Sequence, residues 1–166
     1  MNKYLKSAQN SLLIQAVNLK DSRISVRDEI DLSMLNRKNA ISQAFRAVSR
    51  IQETAFLDAE KQEAWDYRFI YTSGIRLIFS EEEEVSKKDD FKPIVEIVGV
   101  FSAKYFSKKK LSQEELKEFC TDSVGYHVWP YWREYAQSTC ARIGFSPAFE
   151  VPLYFMPQHE EGTEEV

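Results

Sequence analysis

From Trp65 to Ser80 the chain alternates: Trp65, Tyr67, Phe69, Tyr71, Ser73, Ile75, Leu77 and Phe79 take every second position, and Asp66, Arg68, Thr72, Arg76 and Ser80 fall between them. A two-residue period held that long places one set of side chains on each side of an extended backbone. It specifies a half-buried antiparallel strand with one strongly aromatic face. Gly74 in its middle is expected to permit a bend.

Three further segments supply strands for it to pair with. From Leu12 onward, Leu13, Gln15, Val17 and Leu19 share a face, and Ile24 and Val26 resume the alternation, with a bulge expected near Lys20, Asp21 and Ser22. From Ala44 to Asp58 the alternation runs through Phe45, Ala47, Ser49 and Ile51 and slips phase at Phe56, which predicts a second strand with a late bulge. The fourth run, starting at Pro93, carries Val95, Ile97, Gly99, Phe101, Ala103 and Tyr105 on one face, and Ile94, Val98 and Val100 make its other face partly apolar. Between the first and second strands, Ile30, Leu32, Met34, Leu35 and Ile41 follow no steady period, so that stretch is a long connection. Between the third and fourth, the block from Glu81 to Asp90 is charged enough to be a solvated loop. Residues 1–10 are polar and suit a short helix or a frayed end.

The helices come last. Ser112 with Glu115 three residues on forms a capping box for a short helix. Val124, Val128, Trp132, Tyr135, Thr139 and Ile143 then draw an apolar stripe at helical spacing. Gly144 stands where a left-handed residue closes a helix, and Arg142 faces the negative end of the dipole. Pro130 predicts a kink or a fresh helix start nearby. Beyond Gly144, prolines 147, 152 and 157 exclude helix, while Phe145, Phe149, Val151, Leu153 and Phe155 predict an extended strap against an apolar surface. Strands followed by helices give an α+β fold: a four-stranded antiparallel sheet with helices packed on one face.

At 166 residues, 43% of them hydrophobic, one domain with a substantial core is expected. Its expected extent is residues 1–157, with 158–166 a disordered acidic tail. A net charge of −4 supplies no global field toward nucleic acid or anionic lipid, and the expected partners include neither. No run is long enough to span a bilayer and the first ten residues lack the apolar block of a secretion signal, so the expected location is cytoplasmic, without membrane insertion.

Catalytic constellations are missing at the sequence level. The two histidines, His127 and His159, stand at a helix start and in the polar tail, away from any Ser or Cys pattern that would make a nucleophile. Cys120, His127 and Cys140 lack metal-ligand spacing, and the two cysteines read as small buried thiols. The five glycines are scattered singly, so no phosphate loop exists, and the run Lys108 to Lys110 reads as a solvated turn. No catalytic residue, metal ligand or cofactor is expected.

The apolar supply is more telling. Eleven Phe, eight Tyr and three Trp exceed what one small sheet-and-helix core takes up, and surplus apolar surface on a soluble protein implies a partner. A homo-oligomer interface would absorb it, and so would open grooves for unfolded chains.

The segment Trp129-Pro130-Tyr131-Trp132-Arg133-Glu134, the helix end Gly144-Phe145-Ser146-Pro147 and the strap Val151-Pro152-Leu153-Tyr154-Phe155 resemble the SecB protein-export chaperones, as do the order of strands and the long first connection. The resemblance implies an ATP-independent holdase, a homotetramer built as a dimer of dimers, and unfolded clients for export. It is closer to the divergent SecB-like chaperones, some of which guard an unstable antitoxin in a toxin–antitoxin system. Members with a Cys- and His-containing zinc tail engage the motor SecA. This chain has no cysteine after Cys140, so a SecA contact is left open. Candidate client-contact residues are Met34, Leu35 and Ile41 of the long connection and Phe145, Phe149, Leu153 and Tyr154 of the strap. The alternative function is a non-chaperone subunit that uses the same surface to hold one dedicated partner.

Overall fold

A computed structural model describes residues 2–154. The expected acidic tail therefore lies outside the described residues. The chain runs α1 (Lys3–Ser11), β1 (Leu13–Val26), β2 (Ala40–Leu57), β3 (Glu63–Phe79), β4 (Val95–Ser107), α2 (Gln113–Phe119) and α3 (Gly125–Arg142). All strand pairs are antiparallel and the order across the sheet is β1-β4-β3-β2. The alternating segment read first in the sequence is thus a central strand, and β1 and β2 are the edges.

Both faces of β3 and β4 are partly covered, but the main core lies on the side of the helices. Tyr67, Phe69, Tyr71, Ile75 and Leu77 of β3 meet Ile97, Phe101, Ala103 and Tyr105 of β4 and the stripe Val124, Val128, Trp132, Ala136 and Cys140. Phe69, Tyr105 and Phe119 pack edge to face or tilted at 5.1–5.6 Å, the geometry aromatic quadrupoles favour. The polar ends of these rings are satisfied: the Leu111 amide donates to the Tyr67 hydroxyl at 2.9 Å, and Tyr105 is hydrogen-bonded to His127 Nδ1 at 2.9 Å. Gly99 lets Trp132 lie against β4, since a Cβ there would sit 3.3 Å from the indole and 2.9 Å from Phe101.

Several local expectations shift. The bulge near Lys20 is present, between Leu19 and Asp21, but a second one between Ile14 and Ala16 moves Leu13 to the far face. Ile14, Val17, Leu19, Ile24 and Val26 pair with Tyr105, Ala103, Phe101, Ile97 and Val95 and share their face. In β2 the bulge falls between Val48 and Arg50 rather than at Phe56, and the strand begins at Ala40, four residues early. Gly74 makes room, because a Cβ there would lie 2.2 Å from the Phe45 ring across the strand pair.

The charged block after β3 is mostly exposed, as its reading as a solvated loop expects, but it is ordered. Two 3₁₀ turns, Ser80–Glu82 and Val85–Lys87, bury Ser86. Arg27 makes a fork to Glu82 at 2.8 and 3.1 Å and also donates to the Lys92 carbonyl, while Arg76 reaches the Ser86 carbonyl at 3.1 Å. Hydrogen bonding from Arg27 holds the Glu82 carboxyl below its ordinary range. Composition did not reveal this order, because the cations that organise the block lie elsewhere in the chain.

The capping box at Ser112 and Glu115 forms as expected. The helix then continues through a π-turn at Cys120–Val124 into α3, which runs past Pro130 without a break. Pro130 and Tyr126 lie on an exposed side of the helix, where water can take the carbonyl that the proline leaves without a donor. The irregularity is one extra residue inserted upstream, not the kink or fresh start that the proline predicted.

Candidate client groove and its Arg46 wall

Gly144, at φ 71°, ends α3. The Phe145 amide donates to the Cys140 carbonyl at 2.9 Å and the Gly144 amide to that of Ala141 at 3.3 Å, the paired bonds of a Schellman close. That turn reverses the chain, and residues 146–154 lie back along the helix as the expected strap. The helix itself fastens it: Arg133 Nε donates to the Val151 carbonyl at 2.8 Å, and Trp129 Nε1 to that of Pro152 at 2.7 Å. Arg133 and Trp129 are one turn apart, so the strap runs antiparallel to α3.

One side of the strap is core. Phe145, Phe149 and Val151 are buried, the two rings 4.7 Å apart. The other side is open, with Leu153 65% exposed. Tyr154 closes the segment with its ring 5.6 Å from Trp129 and 6.4 Å from Tyr126. It fits only because residue 125 is glycine, where a Cβ would stand 2.5 Å from the Tyr154 hydroxyl.

The start of β2 forms a facing wall. Arg37, just before the strand, stacks on Phe145 at the C-terminal end of α3. Arg46, nine residues on, lies over both Trp129 (5.3 Å) and Tyr154 (4.5 Å) near its N-terminal end. The chain from 37 to 46 therefore runs alongside the helix and opposite in direction to it. Beneath Arg46 a cavity of about 290 Å³ opens between β2, Tyr71, the π-turn and Tyr154.

The seven residues expected to contact a client divide by burial. Met34, at 82% exposed, and Leu153 present apolar surface to water. Leu35, Ile41 and Tyr154 are half-buried, but Ile41 pairs with Ile78 and so lies on the face of the sheet away from α3 and the strap. Phe145 and Phe149, at 2% and 5% exposed, belong to the core and support the strap from beneath; as direct contact residues they are withdrawn. The structure sets Leu35 and Phe145 at one end of α3 and Leu153 and Tyr154 at the other. Arg46, Tyr71 and Gly125 complete the site and were missed. Arg46 carried no local signal, because its importance comes from rings more than eighty residues away in sequence.

Electrostatically the site is quiet. Burial pushes the Cys120 thiol up to about 11, which leaves it neutral and a poor nucleophile. Burial also raises the Tyr71 phenol to about 12, against the opposing pull of Arg46. Among the described residues no cluster of three or more His, Cys, Asp or Glu side chains could hold a metal ion, and no helix is long and apolar enough to cross a membrane.

No family model matches the sequence, and comparison with curated proteins finds no match. Among solved structures the chain resembles a SecB-like chaperone of Mycobacterium tuberculosis, Rv1957, in complex with a ChAD peptide from the Rv1956 HigA1 antitoxin. The TM-score is 0.54 and the identity 12%, over 90% of this chain and 97% of that one. A likeness at that identity speaks for architecture, and the architecture is the one that the motifs around Pro130, Gly144 and Pro152 suggested: an α+β SecB-like fold, with a four-stranded antiparallel sheet and a long C-terminal helix.

Proposed function

We propose that this protein is an ATP-independent holdase that keeps unfolded or unstable polypeptides, an antitoxin among them, from aggregating. The observation that carries the reading is the trough between the start of β2 and the strap on α3, where Met34 and Leu153 stand exposed and Leu35 and Tyr154 half-exposed. Apolar side chains in such positions make weak contacts that add along a flexible chain, and a folded protein that exposes no apolar segment does not compete. No nucleotide is required, because release follows from client folding or transfer. The structural neighbour, whose complex contains an antitoxin peptide, supports a polypeptide as the ligand class.

Assembly belongs to the same proposal. β1 is an edge strand whose helix-side face leaves Ile14, Leu19 and Ile24 at 44–46% exposure. An edge free of proline, with apolar side chains, is suited to pairing with a second copy, and the expected product is a homotetramer. The test of function is suppression of light scattering by several unrelated unfolded proteins at near-stoichiometric ratio without ATP. Protection of all of them supports a holdase. Protection of none, with tight binding to one folded protein, supports a dedicated interaction subunit.

A further inference from the structure

Apolar holding gives no role to the cavity beneath Arg46. Val48 pairs with Tyr71 across the β2–β3 ladder and Arg46 with Ser73, so Arg46 and Tyr71 are diagonal neighbours on one face of the sheet. Both carry donors at the cavity, Arg46 from an exposed position and Tyr71 from a buried one. The Arg46 guanidinium is held over the rings of Trp129 and Tyr154 and forms no ion pair among the described residues. Tyr71 is 3% exposed, and its hydroxyl, which Arg46 approaches as a donor, finds no acceptor of its own among the described residues. A buried hydroxyl without an acceptor is uncommon enough to require an explanation.

The rest of the wall narrows the ligand. Val48, Thr121, the neutral Cys120 thiol and the Tyr154 ring supply apolar surface beside the polar groups. Burial raises the Tyr154 phenol, Arg46 opposes the shift and Asp122, buried in the adjoining π-turn, adds to it, so a carboxyl stands near that ring and disfavours a multiply charged phosphate. One permanent cation and one O–H donor in a cavity of about 290 Å³ that is polar and apolar in comparable parts suit a small monoanion with two acceptor oxygens and an apolar stem. The π-turn that forms part of the wall is a local irregularity of the kind often found at binding sites.

We infer that the cavity bounded by Arg46, Tyr71 and Tyr154 is a carboxylate site, taking the side chain of a Glu or Asp in a bound polypeptide or a short organic acid. The carboxylate receives the guanidinium N–H groups and the Tyr71 hydroxyl, and its stem lies against Val48 and Tyr154. For a polypeptide ligand the inference rests on the holdase reading and gives it a preference: apolar segments interrupted by an acidic residue bind best.

The experiment is a nuclear magnetic resonance titration of the full-length protein with phenylacetate and, separately, phenylacetamide. Shifts are read at the Arg46 Nε–H and the Trp129 indole N–H. Phenylacetate is expected to bind about tenfold more tightly than the amide. Arg46→Met should abolish that ratio, and the near-isosteric Tyr71→Phe should reduce it. A second arm compares a blocked peptide Ser-Val-Glu-Val-Ser with its Gln counterpart. Preference for the Glu peptide assigns the site to polypeptides, and acid selectivity confined to phenylacetate assigns it to free acids. Equal affinity for acid and amide in the parent, or a preference that survives Arg46→Met, overturns the inference. Because the small acid needs no holding activity, its result stands or falls independently of the chaperone assay.

Discussion

The guanidinium of Arg37 lies 3.8 Å from the centre of the Phe145 ring, joining the long connection before β2 to the residue that turns the chain out of α3. The contact fixes one end of the trough, since Phe145 also anchors the strap through Phe149. Arg37→Ala is expected to cost about 1–2 kcal/mol and Phe145→Ala about 3–5 kcal/mol. In the double variant the losses should fall short of their sum by roughly 1 kcal/mol. Urea unfolding of the four proteins gives the coupling directly, and strict additivity would show that the stack does not hold the two segments together.

Gly99 and Trp132 make a second testable pair. Gly99→Ala adds a methyl 2.9 Å from Phe101 and 3.3 Å from the indole, and overpacking of that kind costs about 1–3 kcal/mol. Trp132→Ala should cost about 3–5 kcal/mol by emptying the centre of the core. Thermal melts of both variants check the placement of this helix face, and a melt of Trp132→Ala unchanged from the parent would contradict it.

His127 is lowered from its ordinary value of 6.5 by burial, and in the neutral form its Nδ1 can accept from the Tyr105 hydroxyl. Below the ordinary value the unfolded chain takes up a proton that the folded protein resists, so stability falls as pH drops below about 6.5 toward the lowered folded value. Above 6.5 this contribution is fully present and constant. His127→Gln should flatten the change in melting temperature between pH 7 and pH 5.5. An equally steep fall in the variant would assign the acid sensitivity to other groups.

If β1 is the assembly edge, light scattering at micromolar concentration should give four times the chain mass, and Leu19→Lys with Ile24→Lys should reduce it. Those residues are half-exposed in the single chain, so the substitutions burden the interface more than the fold. A parent protein that runs as a monomer would remove the tetramer from the account.

Much of the architecture was legible because it rests on period and punctuation. The alternation from Trp65 to Phe79 identified the central strand, the stripe from Val124 to Ile143 the helix, Gly144 its end and Ser112 with Glu115 the start of the one before. What stayed hidden depends on partners distant in sequence. Ser49 is extra only relative to Ile70 and Tyr71, and Glu82 takes a two-bonded fork from Arg27, fifty-five residues away, as well as the nearby Phe79 amide. Pro130 is harmless because the side of the helix it occupies is wet. The candidate site was read in part: Met34 and Leu153 stand exposed, but Phe145 and Phe149 could not be told from surface residues, because hydropathy does not say which side of a strap faces the helix. Arg46 was invisible for the same reason as Ser49.

The central claim is that unfolded chains lie along the trough between the start of β2 and the strap. Met34→Glu with Leu153→Glu puts a charge at each end of it, on side chains that are 82% and 65% exposed and so contribute little to the fold. The measurement is suppression of aggregation of a chemically unfolded protein by the parent and by the double variant, after equal mass and melting temperature have been confirmed. The account predicts that the variant folds and assembles like the parent and loses most of its protective effect. A folded variant that protects as well as the parent would contradict it and move the client to another face.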